Sequence, residues 1–505
     1  MNKVFQNNLK LNKLLKQLKS KKKKIVMCHG VFDILHLGHI KHFEEAKSQG
    51  DVLFVSVTSN KYVNKGFDRP YFDLNTRMEA LSSIKFIDYV IPSDFPTAEK
   101  NLIHLKPKVY IKGPDYINKP DITQNLIKEK KILKKFKGKI YFTKGIQHSS
   151  SKIINSFNDT FDTKQREFIK KLKLKYTFNY IESLINKINK IEVNVFGELI
   201  LDNYQFCEPI GISGKDPFLV FKGNNEQNFA GGSFAIAKNS SGLTKQTNLI
   251  SINSGKGDYY SFFKKKLSKN LKVVNIVDKN FKDIFKKRYI DKNTNSKIFG
   301  IYDINEKLIS NNAQKNIINQ LTKYKKKSNL FIISDYGHGL INDYIAKHIS
   351  KNKFKYNLNA QINSANRGYH GLFKFKNPQT IIINSSELRY EFKDRFTRIE
   401  KLMISLKKKL NAKTVVVTRG SDGAIVLNDQ NKFLYCPAFA KSTIDKVGAG
   451  DALLTIFSLC EFVGMREDLA IFISSICAAN QTRVLNNESF LKKEKILKTI
   501  SHILK

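Results

Sequence analysis

The sequence predicts an α/β protein built from two doubly wound domains. At 505 residues the chain is too long for one ordinary hydrophobic core. Short apolar runs alternate with helical patterns over residues 25–157, and a second alternation begins at residue 191. Such alternation predicts parallel sheets with crossover helices, whose ligands bind beyond the carboxyl ends of the strands. We expect one domain over residues 1–157, a connector and packing helix over 158–190, and a second domain over 191–505.

In the first domain, leucines at helical spacing among lysines predict a helix over residues 5–20. Apolar runs predict five strands, at residues 25–28, 52–58, 88–91, 108–112 and 139–142. Amphipathic patterns between them predict helices near residues 40–49, 75–84, 97–105 and 121–136.

The stretch from Cys28 to His39 predicts a buried strand, a tight turn and the start of a helix. His36 and His39 are three residues apart, so both imidazoles lie on one side of the first helical turn. A helix start offers unpaired N–H groups and the positive end of the macrodipole, which suits a phosphate. The two histidines add donors that stabilise charge on a phosphoryl oxygen. Such a pair also occurs as a cap or as packing, but the preceding strand and the flanking glycines favour the phosphate site.

Three further segments are expected to reach the same edge of the sheet. The basic loop at residues 65–70 suits a triphosphate, and the glycine in the segment 112–116 lets the backbone approach a ligand. The serines at 149–151 precede a helical pattern and predict a second capped helix start that binds phosphate. Taken singly, each segment is equally well explained as a turn or a cap.

Together these segments carry a resemblance. The GxFDxxHxGH pattern ending at His39, KGxxRP at 65–70, KGxDY at 112–116 and the serine cluster before Ile153 resemble the cytidylyltransferase-like nucleotidyltransferases. Over about residues 24–157 the set is similar to the adenylyltransferase domain of bifunctional ADP-heptose synthesis proteins. The resemblance implies that His36, His39 and the lysine stabilise the α-phosphate while a sugar 1-phosphate attacks and pyrophosphate leaves. Position 29 is His, where that family more often has a small residue or Cys. The implied nucleotide-binding and phosphate-binding residues are Gly30, Phe32, Lys65, Lys112, Gly113, Asp115, Ser149, Ser150 and Ser151.

The second domain opens with an apolar strand at residues 191–197. A glycine pair, Gly231 and Gly232, precedes a helix, and polar turns around residues 206–222 predict a small β flap. Near the end of the chain, residues 445–451 have the sequence DKVGAGD and precede an apolar helix predicted over 452–463.

The small residues of this DKVGAGD segment let successive N–H groups crowd one oxyanion at a helix start. Asp451, at the same edge, is placed to take a proton from an attacking hydroxyl. Phosphoryl transfer needs mainly positioning and charge neutralisation, so the segment predicts a phosphotransfer site. A glycine-rich turn with a capping Asp is the plainer alternative.

This segment resembles the signature of the pfkB/ribokinase carbohydrate kinases, and the resemblance extends over about residues 191–500. NSSE at 384–387 and VTRG at 417–420 support it, and DYGHG at 335–339 and LDNY at 201–204 look like motifs of the heptose 7-phosphate kinases. The resemblance implies Asp451 as catalytic base. The implied nucleotide-binding and phosphate-binding residues are Asn384, Glu387, Gly420, Gly448, Ala449 and Gly450, with Glu387 ordering Mg²⁺ through water. The substrate-binding candidates are Asp202, Gly231, Gly232, Lys286, Arg288 and Asp335.

Two of these candidates have an open alternative, and two motifs depart from the family. Lys286 and Arg288 alternate on a strand, so they either reach a substrate phosphate or are two exposed strand cations. Ala235 stands where the family's sugar-contacting Asn is found, and SGKDP at 213–217 replaces its SPEAP segment. Both departures fall on the substrate side. The nucleotidyltransferase domain also comes first here, whereas in the bifunctional family the kinase leads.

The predicted fold is therefore an N-terminal Rossmann-like HxGH nucleotidyltransferase followed by a C-terminal ribokinase-like α/β domain with a small β flap. The resemblance implies a bifunctional enzyme that phosphorylates a sugar, such as heptose 7-phosphate, and joins a sugar 1-phosphate to a nucleotide, with a separate phosphatase acting between. One alternative is a kinase and cytidylyltransferase for another sugar or alditol phosphate, and a second is a binding protein whose kinase half has decayed. The expected cofactors are Mg²⁺ with ATP, a second nucleotide that is ATP or CTP, and a monovalent cation.

Composition narrows the partners. The formal net charge of +44 is spread along the chain, which favours compositional drift over specific nucleic-acid binding and leaves sugar phosphates and nucleotides as partners. Five scattered cysteines without CxxC spacing favour reduced thiols and no zinc site. Neither a signal peptide in residues 2–24 nor a membrane span in the apolar run 452–460 is predicted. We expect a cytoplasmic protein with no membrane partner, in the form of a homodimer.

Overall fold

The computed structural model of the chain describes residues 3–5, 8–63, 69–113, 125–144, 161–326, 328, 330–440 and 443–504. It divides into two compact units, Met1–Asp162 with Leu497–Lys505, and Thr163–Ile496. Each unit is built on a largely parallel sheet, and the predicted α/β class with two doubly wound sheets is confirmed.

The first unit contains a five-stranded, all-parallel sheet in the order β3-β2-β1-β4-β5. The strands are β1 (Ile25–Gly30), β2 (Val52–Thr58), β3 (Tyr89–Ser93), β4 (Val109–Lys112) and β5 (Lys139–Phe142). The helices are α1 (Asn8–Ser20), α2 (Leu37–Lys47), α3 (Leu74–Ser82), α4 (Glu99–Leu105) and α5 (Asn125–Lys134). The chain reverses its direction across the sheet between β1 and β4, and the crevice beyond the carboxyl ends of these strands is where such sheets bind ligands.

Strand β1 explains why this sheet is buried on both faces. Val26 and Cys28 belong to one hydrophobic cluster, and Ile25 and Met27 belong to another. Because the side chains on both faces of β1 are apolar, both faces of the sheet must be covered by helices, as in a doubly wound fold. All five predicted strands are present, each within two residues of its predicted ends.

The second unit contains a nine-stranded sheet in the order β10-β9-β6-β13-β14-β15-β16-β17-β18. It is parallel from β10 to β16, and the last two strands are antiparallel. Its strands are β6 (Glu192–Gly197), β9 (Gln246–Asn253), β10 (Leu271–Val277), β13 (Phe331–Asp335), β14 (Tyr356–Ala360), β15 (Thr380–Asn384), β16 (Thr414–Thr418), β17 (Ala424–Leu427) and β18 (Phe433–Cys436).

Eleven helices complete the described part of the second unit. They are α6 (Thr163–Lys175), α7 (Phe178–Ile188), α8 (Ser233–Ser241), α9 (Tyr259–Lys264), α10 (Asn311–Lys325), α11 (Asp343–Lys351), α12 (Ser385–Phe392), α13 (Ile399–Leu410), α14 (Ala449–Phe462), α15 (Glu467–Gln481) and α16 (Lys493–Ile503), the last running past the unit's boundary in sequence. The segment expected to be a connector, residues 158–190, thus contributes α6 and α7 to this unit in its described part.

The flap is larger than the sequence suggested. A separate four-stranded sheet in the order β12-β11-β7-β8 is formed by β7 (Leu199–Ile212), β8 (Leu219–Gly232), β11 (Phe285–Asp291) and β12 (Lys297–Asp303). The predicted region at 206–222 is only the distal part of its first hairpin. The remainder was missed because β11 joins β7 in parallel from more than seventy residues further along the chain, a pairing that local periodicity does not encode.

The described residues bear on the expected thiols and on the expected lack of a membrane span. All five cysteines are buried and free of disulfides. Among the helices that the structure describes, none is both long enough and apolar enough to cross a bilayer.

Candidate active sites

In the first unit, His36 and His39 lie directly beyond β1, where α2 begins. His36 is the N-cap, with extended backbone (φ −146°, ψ 169°), and His39 lies in the first turn. Their rings stack with centroids 3.9 Å apart and planes 26° apart. The structure therefore brings both imidazoles to one side of a helix start at the carboxyl edge of the sheet, which is the arrangement that suits a phosphate.

Phe32 supports this pair from the core side. Its backbone lies in the left-handed region (φ 47°). Its ring meets His39 edge-on at 5.6 Å between centroids and packs on Phe43 at 5.1 Å. The ring also covers Gly30, where a Cβ atom would come within 2.8 Å of it. Phe32 is thus almost fully buried and helps to position His39 and the backbone of Gly30.

Lys112 and Gly113 lie at the end of β4, beside the end of β1, because Cys28 pairs with Ile111. The ammonium of Lys112 is buried, 2.8 Å from Oε2 of Glu129. Gly113 has open space where a side chain would be, so its backbone is accessible to a ligand. The predicted residues of β4 and of the histidine turn therefore share one edge.

His29 lies between these elements and is neutral. Its Nδ1 is 3.0 Å from Oγ of Ser56, and its Nε2 is 3.5 Å from Oγ1 of Thr58. Burial, helped by the charge of Lys112, lowers the pKa of His29 to about 3. A neutral imidazole between two hydroxyls both donates and accepts hydrogen bonds at the edge where a nucleotide would lie.

Sequence reasoning did not single out Asp33, the Asp of the GxFD pattern. Its Oδ1 accepts hydrogen bonds from the backbone N–H groups of Tyr71 (2.7 Å) and Phe72 (3.0 Å). Its Oδ2 is 2.7 Å from Nε of Arg69. Asp33 thus anchors the described end of the basic loop to the turn that precedes the histidines.

Arg77 is the second residue that was missed. It is one of the largest fully buried side chains in the described chain. Its guanidinium donates to the backbone carbonyls of Phe72 (2.9 Å), Val31 (2.7 Å) and Thr58 (3.0 Å) and to Oδ1 of Asn60 (2.6 Å). It therefore ties the loops that follow β1 and β2 to α3. An Arg inside a helical pattern gave no signal that distinguished it from a surface residue.

Five predicted residues of the first site lie outside the described residues: Lys65, Asp115, Ser149, Ser150 and Ser151.

In the second unit, the predicted residues gather at the carboxyl edge of the nine-stranded sheet. Asp335 ends β13, Asn384 ends β15, and Gly420 follows β16 by two residues. Because Asn384 pairs with Thr418, the Asn384 and Gly420 segments are neighbours. The sheet itself thus assembles motifs that are far apart in sequence.

Asp451 lies in the first turn of α14 and faces this edge. The hydroxyl of Tyr336 donates a hydrogen bond to its Oδ1 at 3.0 Å. Burial raises the pKa of Asp451 to about 6, with the hydrogen bond from Tyr336 opposing, the charge of Asp202 adding and that of Lys286 opposing. A carboxyl group with this pKa is ionised at neutral pH and is a better proton acceptor than an ordinary Asp.

The turn before Asp451 is the segment that the sequence predicts to bind an oxyanion. Gly448 is the N-cap of α14 with φ +84°, in the left-handed region where a side chain is strained. A Cβ atom there would also strike the side chain of Asn487. Ala449 and Gly450 begin the helix, and the Gly450 position faces open space. We call residues 448–450 the anion turn.

Asn487 was not predicted and lies against the anion turn. It is buried, and neither polar atom of its side chain has a hydrogen-bond partner among the described residues. It also lines a cavity of about 300 Å³ with Phe229, Lys266 and Phe490. Its segment follows α15 and carries no motif, so the sequence offered no signal for it.

The substrate-side residues lie on one face of the flap. Lys286 pairs with Asp202 across β11 and β7, and the guanidinium of Arg288 forms an ion pair with Asp202. Lys286 is 6% exposed and the Arg288 side chain 14%, so the alternative of two exposed strand cations is wrong. Gly231 lies so close to the Asp202 carboxylate that a Cβ would collide with it, and Gly232 caps α8.

Asn384 and Glu387 form a capping box at the start of α12. The Glu387 N–H donates to Oδ1 of Asn384 at 2.8 Å, and the Asn384 N–H donates to Oε2 of Glu387 at 3.0 Å. Burial raises the pKa of Glu387 to about 7, and the charge of Asp451 adds to the rise. A buried carboxylate with an amide oxygen beside it fits the oxygen ligands and bound water that Mg²⁺ prefers.

Asp335 is differently placed from the prediction. Its Oδ2 is 2.6 Å from Nζ of Lys374, and its Oδ1 accepts from the N–H of Gly337 at 3.1 Å and lies 3.8 Å from Nε2 of His370. Both carboxylate oxygens are thus engaged behind Tyr336 rather than open to a sugar. In this geometry Asp335 fixes the backbone of the DYGHG segment.

Glu198 and His338 complete the inner part of this site and were not predicted. Glu198 follows β6, is fully buried, and accepts hydrogen bonds from the N–H groups of Tyr336 (3.1 Å) and His338 (3.2 Å). Burial and the charge of Asp335 raise its pKa above the ordinary value. Burial and the charge of Lys286 lower the pKa of His338 to about 3, so its imidazole is neutral.

Comparisons with known proteins agree with this division. Residues 27–156 match the cytidylyltransferase-like family, and residues 193–457 match the pfkB family of carbohydrate kinases. The N-terminal part is 37% identical over 135 residues to bifunctional protein HldE of Helicobacter pylori strain J99. It is 39% identical over 148 residues to bifunctional protein HldE of Campylobacter jejuni strain RM1221. These matches cover 26% and 29% of this chain and 29% and 30% of the relatives, so the chain spans less than a third of their length.

A solved structure of phosphofructokinase-2 from Escherichia coli in complex with potassium resembles the chain with a TM-score of 0.51. It is 12% identical and covers 63% of this chain and 100% of that chain, so the likeness concerns the fold. The expected resemblances to cytidylyltransferase-like proteins and to pfkB kinases are confirmed. The chain combines a nucleotidyltransferase-like domain with a carbohydrate kinase domain.

Proposed function

This chain belongs to the pfkB family of carbohydrate kinases, and we propose that it is a bifunctional enzyme of nucleotide-activated sugar synthesis. Its second unit would transfer a phosphoryl group from ATP to a sugar phosphate. Its first unit would join a sugar 1-phosphate to a nucleotide with release of pyrophosphate. The motif resemblance of the first unit to bifunctional ADP-heptose synthesis proteins suggests a heptose phosphate and an ADP-linked product. Its likeness to bifunctional HldE proteins supports two activities in one chain.

The observation that carries the kinase proposal is Asp451 beside the anion turn, with a pKa raised to about 6. In the proposed step Asp451 takes the proton of the acceptor hydroxyl, whose oxygen attacks the γ-phosphorus of ATP. The bond from that phosphorus to the β-bridging oxygen breaks, and ADP leaves. The N–H groups of residues 448–450 would bind the charge that develops on the transferred phosphoryl group. Tyr336 would hold the Asp451 carboxylate in position through its 3.0 Å hydrogen bond.

The acceptor class follows from the flap. Lys286 and Arg288 place two buried cations on the face that carries Asp202. Two buried cations on one face offer charge-assisted donors to a phosphate, which suits an acceptor that brings its own phosphate group. We therefore propose a sugar phosphate acceptor, heptose 7-phosphate at its anomeric hydroxyl being the leading candidate. Another sugar or an alditol phosphate is the alternative, because Ala235 replaces the usual sugar-contacting Asn.

The nucleotidyl-transfer proposal depends on the stacked histidines at the start of α2. An oxygen of the sugar 1-phosphate would attack the α-phosphorus of the nucleotide, and the bond to the β-phosphate would break to release pyrophosphate. His36 and His39, with the helix start, would stabilise charge on the α-phosphate. ATP is the leading nucleotide and CTP the alternative. The neutral His29 would lie against whichever nucleotide binds.

The expected cofactors differ in their fit. Asn384 and Glu387 fit Mg²⁺ delivered with ATP, since they offer an amide oxygen and a buried carboxylate; Mg²⁺ would neutralise phosphate charge there. A monovalent cation beside the anion turn would need oxygen atoms with free lone pairs. The carboxylate of Asp445, three residues before the turn, is already bonded to four donors and does not fit one.

The test uses the full chain with a panel of sugar phosphates. ADP formation with MgATP identifies the acceptor, and pyrophosphate release with each sugar 1-phosphate and either ATP or CTP identifies the nucleotide. Asp451→Asn should lower only ADP formation, and His39→Ala should lower only pyrophosphate release, so each variant is the control for the other. Pyrophosphate release with CTP and not with ATP would overturn the ADP-linked product. No ADP formation with any acceptor would overturn the kinase assignment.

A further inference from the structure

Asp445, which begins the DKVGAGD segment, has an unusually complete set of partners. Its Oδ1 accepts from Nζ of Lys297 at 2.6 Å and from the N–H of Val447 at 3.1 Å. Its Oδ2 accepts from the hydroxyl of Tyr204 at 2.5 Å and from the N–H of Asn486 at 3.1 Å. The carboxylate side chain is only 2% exposed. A buried carboxylate with two donors on each oxygen has no lone pair left for another ligand.

Two of these four donors come from the flap. Lys297 is the first residue of β12, and Tyr204 lies in β7. The ammonium of Lys297 also lies 5.6 Å from the ring centroid of Tyr204, so the two side chains reach Asp445 together. The other two donors are backbone N–H groups and contribute no net charge. Among these four donors, Lys297 is therefore the one that carries a positive charge.

The pKa of Asp445 shows that its hydrogen bonds outweigh the effect of burial. Burial on its own would raise the pKa of Asp445, but the hydrogen bonds from Lys297 and Tyr204 more than reverse that effect, and the pKa lies below its ordinary value. Asp445 is therefore ionised, three residues before the anion turn, to which the kinase proposal assigns the phosphate oxygens. So close to the anion turn in sequence, a carboxylate without a cation beside it would repel the phosphate. The charge of Asp445 therefore needs a neutralising cation.

We infer that the ammonium of Lys297, supplied by the flap, is the built-in cation of the anion turn and that this enzyme needs no monovalent metal ion there. The ammonium lies against the Asp445 carboxylate, where a monovalent ion would have to sit to compensate its charge. Lys297 and Asp445 are positioning residues: they act on the phosphate through residues 448–450, and they link the flap to the turn. The inference rests on the proposed kinase activity for one of its two readouts.

The test compares potassium chloride with tetramethylammonium chloride at constant ionic strength, since the latter cation is too large for such a site. The first readout is the thermal midpoint of the full chain, which needs no substrate. The second is ADP formation with the acceptor identified above, or slow ATP hydrolysis without acceptor. For the natural chain we expect both to be the same in the two salts. For Lys297→Gln we expect turnover to fall roughly tenfold, as for loss of a charge-assisted hydrogen bond, and to recover with potassium, which should also raise the midpoint.

Two further variants make the result decisive. Lys297→Arg keeps the charge and should stay indifferent to potassium. Lys292→Gln removes another flap lysine, paired with an exposed Glu208, and should behave like the natural chain. A natural chain whose midpoint or turnover rises with potassium would overturn the inference, and so would a Lys297→Gln variant with unchanged turnover and no potassium response. If no acceptor is phosphorylated, the kinase proposal fails. The thermal midpoints still decide whether Lys297 takes the place of a monovalent ion beside Asp445.

Discussion

Replacing Asp451 with Asn should abolish phosphoryl transfer and, at the same time, stabilise the second unit. Asn is nearly isosteric and its carbonyl still accepts the hydrogen bond from Tyr336, so the local packing is kept. It cannot take a proton, and removal of a general base lowers the rate by about 10²–10⁴-fold. Most substitutions lower stability, so a variant that loses activity and gains stability identifies a strained functional position.

The stability gain follows from the raised pKa. Burial lifts the pKa of Asp451 from 3.8 to about 6, so the folded state holds the charged form at a penalty. Two pKa units correspond to at most about 3 kcal/mol, and for a unit of this size to a rise of roughly 4 °C in the thermal midpoint. The penalty is complete above the folded-state pKa, where the group is ionised in both states. It shrinks as the pH falls from about 6 towards 3.8, because the folded state binds its proton first.

The assay is thermal unfolding of the natural chain and of Asp451→Asn at pH 8 and pH 5, with ADP formation measured in parallel. The difference in midpoint should be largest at pH 8 and about half as large at pH 5. Asp343→Asn is the matched control, an exposed Asp in the first turn of α11, and should change neither activity nor the pH dependence. Turnover within a few-fold of the natural chain would refute the role of Asp451 as base. A lower midpoint at pH 8 would refute the burial argument.

Three other substitutions test the two sites separately. His36→Ala and His39→Ala should each lower pyrophosphate release by about 10²-fold while leaving ADP formation intact. His104→Ala, which removes a hydrogen bond to Oδ1 of Asn12, should change neither; equal loss in all three would contradict the site. Arg77→Met should lower the free energy of unfolding of the first unit by about 3–5 kcal/mol in urea titrations, because four hydrogen bonds of a buried guanidinium are lost, and a change below about 1 kcal/mol would show that the network is dispensable. Gly448→Ala forces a side chain into the left-handed region and against its neighbour, so ADP formation should fall at least tenfold; unchanged kinetics would show that the anion turn does not bind the phosphoryl group.

The fold was largely predictable because its local signals are strong. The apolar runs of β1 to β5, the small residues before Asp451 and the histidine spacing at α2 each determine an element within a few residues of sequence. Contacts set by sheet order were not predictable. Tyr336 reaches Asp451 across 115 residues of sequence, because β13 and the start of α14 meet at one edge of the sheet. Glu198 and Asn487 lie outside every motif, so only the folded chain reveals that they face the same site.

Under the proposed kinase activity, the ion pair between Arg288 and Asp202 would connect substrate choice to catalysis. Arg288 forms an ion pair with the carboxylate that is proposed to accept hydrogen bonds from sugar hydroxyls. A phosphate on the acceptor offers the guanidinium a bidentate partner of higher charge. Asp202 would then be released to bind the sugar, and the positive charge that raises the affinity for the acceptor would move away from the Asp451 side of the site. Binding energy from the remote phosphate is thereby used to assemble the sugar-binding face, so a sugar without the phosphate would lose turnover as well as affinity.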